Sequence, residues 1–94
     1  MEERYLRTVR VSDLDKSRHM TNLRYIEMFQ DAYDSDFWQA FGADEVQINF
    51  LSQCREGEKL SVRSRMDCDR LNMAVLHENG RLAAIASFMN TAKG

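Results

Sequence analysis

Between Thr21 and Phe41 of this 94-residue chain, Leu23, Ile26, Phe29, Ala32, Tyr33, Phe37 and Phe41 recur at three- and four-residue spacing. That period gives a helix one apolar stripe, and Gly42 supplies a natural stop. Thr21 and Ser17 are both candidate N-caps, and Asp34-Ser35-Asp36 predicts fraying or a kink near the fourth turn. At 1.5 Å per residue such a helix is about 30 Å long, and its stripe must be buried against something. The remaining chain offers strands. Residues 4–12 alternate loosely, and Val46, Ile48 and Phe50 alternate with Gln47, Asn49 and Leu51 before a turn at Arg55-Glu56-Gly57. Two further runs cover 60–66 and 71–77, and Asn79-Gly80 marks a tight hairpin into 82–89. That last run is apolar on both faces, as suits an interior or interface strand. The order predicts an α+β fold: one long central helix wrapped by a curled antiparallel sheet of about five strands.

Composition narrows the function classes. With 44% hydrophobic and 30% charged residues the chain reads as one globular domain spanning 1–94. A net charge of −2 provides no basic field for nucleic acid. No apolar run approaches the roughly 20 residues that span a bilayer. The acidic, polar start Met1-Glu2-Glu3-Arg4 shows no signal peptide, and two cysteines suggest reduced thiols in a cytoplasmic protein. Cys54 and Cys68 are not expected to bridge. If the turn at 55–57 joins their strands, Cys54 pairs near residue 58, and Cys68 lies about ten residues away at roughly 3.3 Å each.

Chemistry concentrates where the first strand gives way to the helix. Val11–Tyr25 holds two carboxylates (Asp13, Asp15), a hydroxyl (Ser17), an imidazole (His19) and a carboxamide (Asn22). Helix N-termini present unpaired amides, so polar groups clustered there can face a developing negative charge. A zinc reading of Asp13, Asp15 and His19 fails for want of a second His or Cys at metal spacing, so no metal or cofactor is expected. Each group also has a plain role. Asp15 can close a turn, Asn22 can bond across one, Cys54 can be a small buried residue, and His77 reads as solvated surface beside the hairpin.

The run Asp13-Leu14-Asp15-x-x-x-His19-Met20-x-Asn22-x-x-Tyr25 resembles the signature of hotdog-fold acyl thioesterases, most closely the acyl-ACP thioesterases, with the 4-hydroxybenzoyl-CoA type as a wider relative. The resemblance implies a hotdog fold and puts the family's acidic residue on Asp15 and its histidine on His19. The family's asparagine position falls on Ser17, and its Glu-Cys pair falls on Gln53-Cys54. Thr21 replaces one asparagine of the signature, and Asn22 keeps the next. Acyl-ACP thioesterases are tandem hotdogs, whereas this length holds one.

The reaction so implied is hydrolysis of acyl-CoA or acyl-ACP. Asp15 can activate water or attack directly. His19 can orient water, act as base, or protonate the leaving thiolate. Amides around Thr21 and Asn22 polarise the carbonyl, with Tyr25 on the same substrate side, while Ser17 can donate a hydrogen bond, Gln53 can position a water without taking its proton, and Cys54 completes the family set. One small sheet leaves an exposed edge and too little wall for an acyl chain, so a homodimer or homotetramer with a shared site is expected. The alternative is a non-catalytic acyl-thioester-binding or assembly module, in which Ser17 and Gln53 mark lost catalysis. A hotdog dehydratase ranks last, because the spacing from Asp15 to His19 does not suit it.

Overall fold

The computed structural model describes residues 1–93 as five strands and two α-helices: β1 (Glu2–Thr8), α1 (Asn22–Gln30), α2 (Ser35–Phe41), β2 (Glu45–Phe50), β3 (Lys59–Asp67), β4 (Arg70–Leu76) and β5 (Leu82–Met89). All strand pairs are antiparallel and form one sheet in the order β1-β3-β4-β5-β2. The α+β class is therefore as expected. The register places Val62 opposite Val75, Val75 opposite Ala84 and Ala84 opposite Phe50. Successive side chains alternate faces, so Leu71, Met73, Val75, Ala84, Ala86 and Phe88 line one face, and all of them are buried. Tyr25, Met28 and Phe29 of α1 join the same core. The opposite face carries Gln47, Asn49, Asn72, Ser87, Arg63 and Arg65, the polar half of the alternation.

The single long helix expected over 21–41 is two short ones. Asp34 caps α2 by accepting a 2.8 Å hydrogen bond from the Phe37 amide, which favours a fresh helix start over continuation. Side chains also claim carbonyls at and beyond the end of α1. Tyr5 Oη donates to Met28 O (2.6 Å), Trp38 Nε1 to Gln30 O (2.7 Å) and Arg4 Nε to Ala32 O (3.2 Å). These bonds replace helical ones and stabilise the break. The kink predicted at 34–36 is thus a full interruption. Tyr33, Phe37, Trp38 and Phe41 still pack on the core, with Tyr33 stacked on Phe37 at 4.0 Å between centroids. Gly42 ends α2 at φ 63°, and a Cβ there would meet the Asn90 amide at 3.1 Å.

Three further expectations change. The first strand stops at Thr8, and Val11–Asp13 is a 3-10 turn. The turn at 55–57 does not join neighbouring strands: β2 lies at the sheet edge on β5, while β3 lies between β1 and β4. Residues 51–58 therefore form a crossover that passes the ends of β5 and β4, with the Leu51 and Ser52 amides both donating to Ala83 O. His77 is not solvated surface, for its side chain is 10% exposed and bonded at both ring nitrogens. The hairpin at Asn79-Gly80 forms as read, with Gly80 at φ 87°, and β5 is interior. Both cysteines are free, Cys54 buried and Cys68 exposed.

Candidate active site

Two aspartates separated by one residue organise the segment before α1, in opposite ways. Asp13 is 3% exposed. Its Oδ1 lies 2.7 Å from Arg7 Nη2 and 3.6 Å from Arg24 Nε, and its Oδ2 accepts from the Arg10 amide at 2.9 Å. Burial is the largest single influence on this carboxyl and raises its pKa. The Arg10 amide and the Arg7 and Arg24 cations together outweigh it and hold the group below the usual carboxylate range. Asp13 O also accepts from the Thr21 amide at 3.0 Å, so this residue fixes where α1 begins.

Asp15, by contrast, is exposed. Its Oδ1 accepts from the Ser17 amide (2.8 Å) and the His19 amide (3.2 Å). Its own amide donates to His19 O at 2.9 Å, Leu14 bridges Met20, and Arg18 takes a left-handed φ of 62° to close the loop. Asp15 and His19 are thereby locked onto one tight turn. The Met20 amide donates to Cys54 O at 2.9 Å and ties that turn to the crossover.

The turn, the start of α1 and the end of β2 enclose an open cavity of about 450 Å³. Asp15, His19, Thr21, Asn22, Tyr25 and Gln53 line it, so six of the eight residues singled out from the sequence meet at one place. Met20, Phe50, Leu51 and Ser52 complete the wall. Met20 adjoins His19 in sequence, but spacing does not reveal the other three, which reach the site only when β2 docks beside α1. Tyr25 packs edge-on against Phe50 at 5.6 Å and sits under the cavity floor. Thr21 occupies the N-cap of α1 without a side-chain capping bond, which leaves amides of the first turn available to a ligand.

Two chosen residues fall elsewhere. Ser17 faces an adjacent pocket with Leu14, Arg18, His19, Arg55 and Glu56. Cys54 is fully buried and is not part of the cavity lining. Burial pushes its thiol pKa up, opposed by the neighbouring Tyr25 hydroxyl. Burial likewise pushes the Tyr25 phenol up, so it is a neutral hydrogen-bonding group at physiological pH.

The family model for the acyl-ACP thioesterase C-terminal domain matches residues 2–86. The chain belongs to the acyl-ACP thioesterase C-terminal domain family. Among curated protein sequences, none matches it. Solved structures agree on the fold of this family member. An acyl-ACP thioesterase from Bacteroides thetaiotaomicron is similar over 94% of the chain, with a TM-score of 0.78 and 16% identity, and the match covers 37% of that enzyme. A Staphylococcus aureus protein solved in complex with CoA gives a TM-score of 0.79 at 23% identity, over 94% of this chain and 74% of that one. A 1,4-dihydroxy-2-naphthoyl-CoA thioesterase from Synechocystis gives 0.67 at 17% identity, over 89% of this chain and 76% of that one. At such identities the likeness is one of fold, and the fold is that of the hotdog thioesterases. The chain thus spans little more than a third of the Bacteroides enzyme and about three quarters of the other two. Among the described residues no helix is long and apolar enough to cross a membrane.

Proposed function

We propose that this domain hydrolyses acyl thioesters, with Asp15 and His19 as its reacting groups. The observation that carries the reading is their convergence, with the uncapped start of α1 and with Gln53, on one cavity in a domain of the acyl-ACP thioesterase family. Asp15 Oδ1 is spent on the turn, and Oδ2 has no protein donor among the described residues. That oxygen activates a water, which Gln53 positions. First-turn amides of α1 accept the negative charge that develops on the carbonyl oxygen, and their fixed orientation means no reorganisation during the reaction. His19 delivers a proton to the departing thiolate. Cys54, behind the lining, is assigned no step, and neither is Ser17, which faces the adjacent pocket.

The substrate in this reading is an acyl-CoA or an acyl-ACP. The acyl chain runs along Phe50, at the end of the edge strand β2, and Leu51, the first residue of the crossover, which are 41% and 50% exposed. A second copy placed against that edge supplies the missing apolar wall, giving a homodimer or a dimer of dimers with shared sites. A light-scattering mass of a monomer at micromolar concentration overturns the shared wall.

Turnover tests the chemistry. Wild type and His19→Ala are compared on short-, medium- and long-chain acyl-CoA and acyl-ACP, with release of free thiol as the readout. Wild type is expected to turn over at least one chain length, and His19→Ala about 100-fold more slowly. Tight acyl-CoA binding by wild type without turnover anywhere in the panel replaces hydrolysis with the binding-module reading.

A further inference from the structure

Behind the cavity, the crossover brings three metal-ligating side chains to the end of β4. Cys54 Sγ, a Glu58 carboxylate oxygen and a His77 ring nitrogen all lie within 4.8 Å of one another. We propose that Cys54, Glu58 and His77 form a binding site for a single thiophilic divalent cation of the zinc type. Its ligands lie outside the lining of the hydrolytic cavity, although its outer contacts Ser52 and Tyr25 belong to that lining, and the proposal does not depend on hydrolysis.

The outer contacts of the cluster are already arranged for such an ion. His77 Nδ1 faces Glu58 Oε1 at 3.0 Å, and His77 Nε2 lies 2.7 Å from Ser52 Oγ. Ser52 Oγ has one proton, and it donates it to Leu82 O at 2.8 Å. Toward His77 the hydroxyl therefore accepts, so Nε2 carries a proton. In the neutral imidazole that leaves Nδ1 as a lone pair aimed at a carboxylate, which needs either a proton or a cation between them. Donation of the second ring N–H to an oriented acceptor is the usual support of a ligating histidine. Glu58 is supported in the same manner, because its Oε2 accepts from the Arg55 amide and Oε1 is left facing His77.

The donor set fits the ion in kind. Thiolate and imidazole favour zinc over magnesium or calcium, and one thiolate with one carboxylate neutralise a 2+ charge. Ligand atoms around tetrahedral zinc lie roughly 3.5 Å apart, given bonds of about 2.0–2.3 Å, so the cluster closes by small side-chain movements. The Cys54 thiol releases its proton to solvent on binding. The Tyr25 hydroxyl, beside the sulfur, donates to it or yields to a water as fourth ligand. Glu58 is 37% exposed and provides the entry path to the buried sulfur.

The decisive experiment adds Co2+ and Zn2+ to full-length protein stripped with chelator. One equivalent per chain is expected, with a thiolate-to-cobalt charge-transfer band and the visible spectrum of four-coordinate cobalt, displaced by Zn2+. Cys54→Ser and His77→Gln are expected to lower affinity about 100-fold or more, and Ser52→Ala about tenfold through the ring orientation. Cys68→Ser is expected to bind as wild type. The wild-type spectrum reports sulfur ligation even if a variant fails to fold. Absence of the charge-transfer band, or unchanged affinity in His77→Gln with circular dichroism like that of wild type, overturns the site and leaves a His77–Glu58 ion pair only.

Discussion

Asp13 and Asp15 are the same residue type two positions apart, on one polar segment, and the fold treats them as opposites. Asp13 is buried, charged and saturated by Arg7, Arg24 and the Arg10 amide. Asp15 is exposed, with one oxygen committed to backbone amides on its own turn. A fully partnered buried carboxylate gives up its reactivity for placement, and it sets the start of α1. The one held only by its own loop keeps an oxygen without a protein donor among the described residues, the oxygen that the proposed hydrolysis uses. The difference teaches that carboxylate position along the chain says little about role; the count of partners does.

Substitutions at the two sites should therefore separate activity from stability. Asp15→Asn keeps an acceptor for the Ser17 and His19 amides but removes the proposed base. Its kcat/KM on an acyl thioester is expected to fall about 100-fold or more, with a urea midpoint close to wild type. Equal losses of activity and stability in this variant would break the contrast. Asp13→Ala should show the reverse emphasis, a loss of about 2 kcal/mol in urea unfolding, because charge-assisted hydrogen bonds are removed and the Arg10 amide is orphaned.

The pH dependence follows with a definite sign. A carboxyl whose pKa is depressed in the folded state contributes stability above its unfolded pKa, near 4, and loses it as pH falls through the folded value. The stability gap between wild type and Asp13→Asn should be full at neutral pH and close progressively below about pH 4. A gap that stays constant to lower pH would show that charge is not what Asp13 supplies. Arg24→Gln tests the outer partner. At 3.6 Å and with a half-exposed guanidinium, this variant should cost less than about 1 kcal/mol. Arg18→Gly is the smallest change, a gain within about 0.5 kcal/mol, since relief of the left-handed backbone is partly cancelled by extra freedom in the unfolded chain.

Much of this was written in local sequence. Alternation and the Asn79-Gly80 turn reported strands β3 to β5, because side-chain period and turn geometry are properties of a few neighbouring residues. The resemblance carried by Asp15, His19, Asn22 and Tyr25 located the cavity, since those residues share one turn and one helix start. The helix break was only half visible. Asp34 marked it, but Tyr5, Trp38 and Arg4 complete it from other elements.

By itself, then, the chain determined the α+β class, most strand boundaries and the short stretch that carries the candidate chemistry. Tertiary structure alone decided the sheet order, and with it everything contributed by the crossover at 51–58. That segment passes strand ends far from it in sequence, so it places Phe50 to Gln53 on the cavity and brings Cys54 and Glu58 to His77. It is also what turns His77 from an apparent surface residue into a bonded one. Asp13 belongs with these, since its partners Arg7 and Arg24 lie six and eleven residues away on different elements. Periodicity records which face of an element is buried; it carries no record of which element lies opposite.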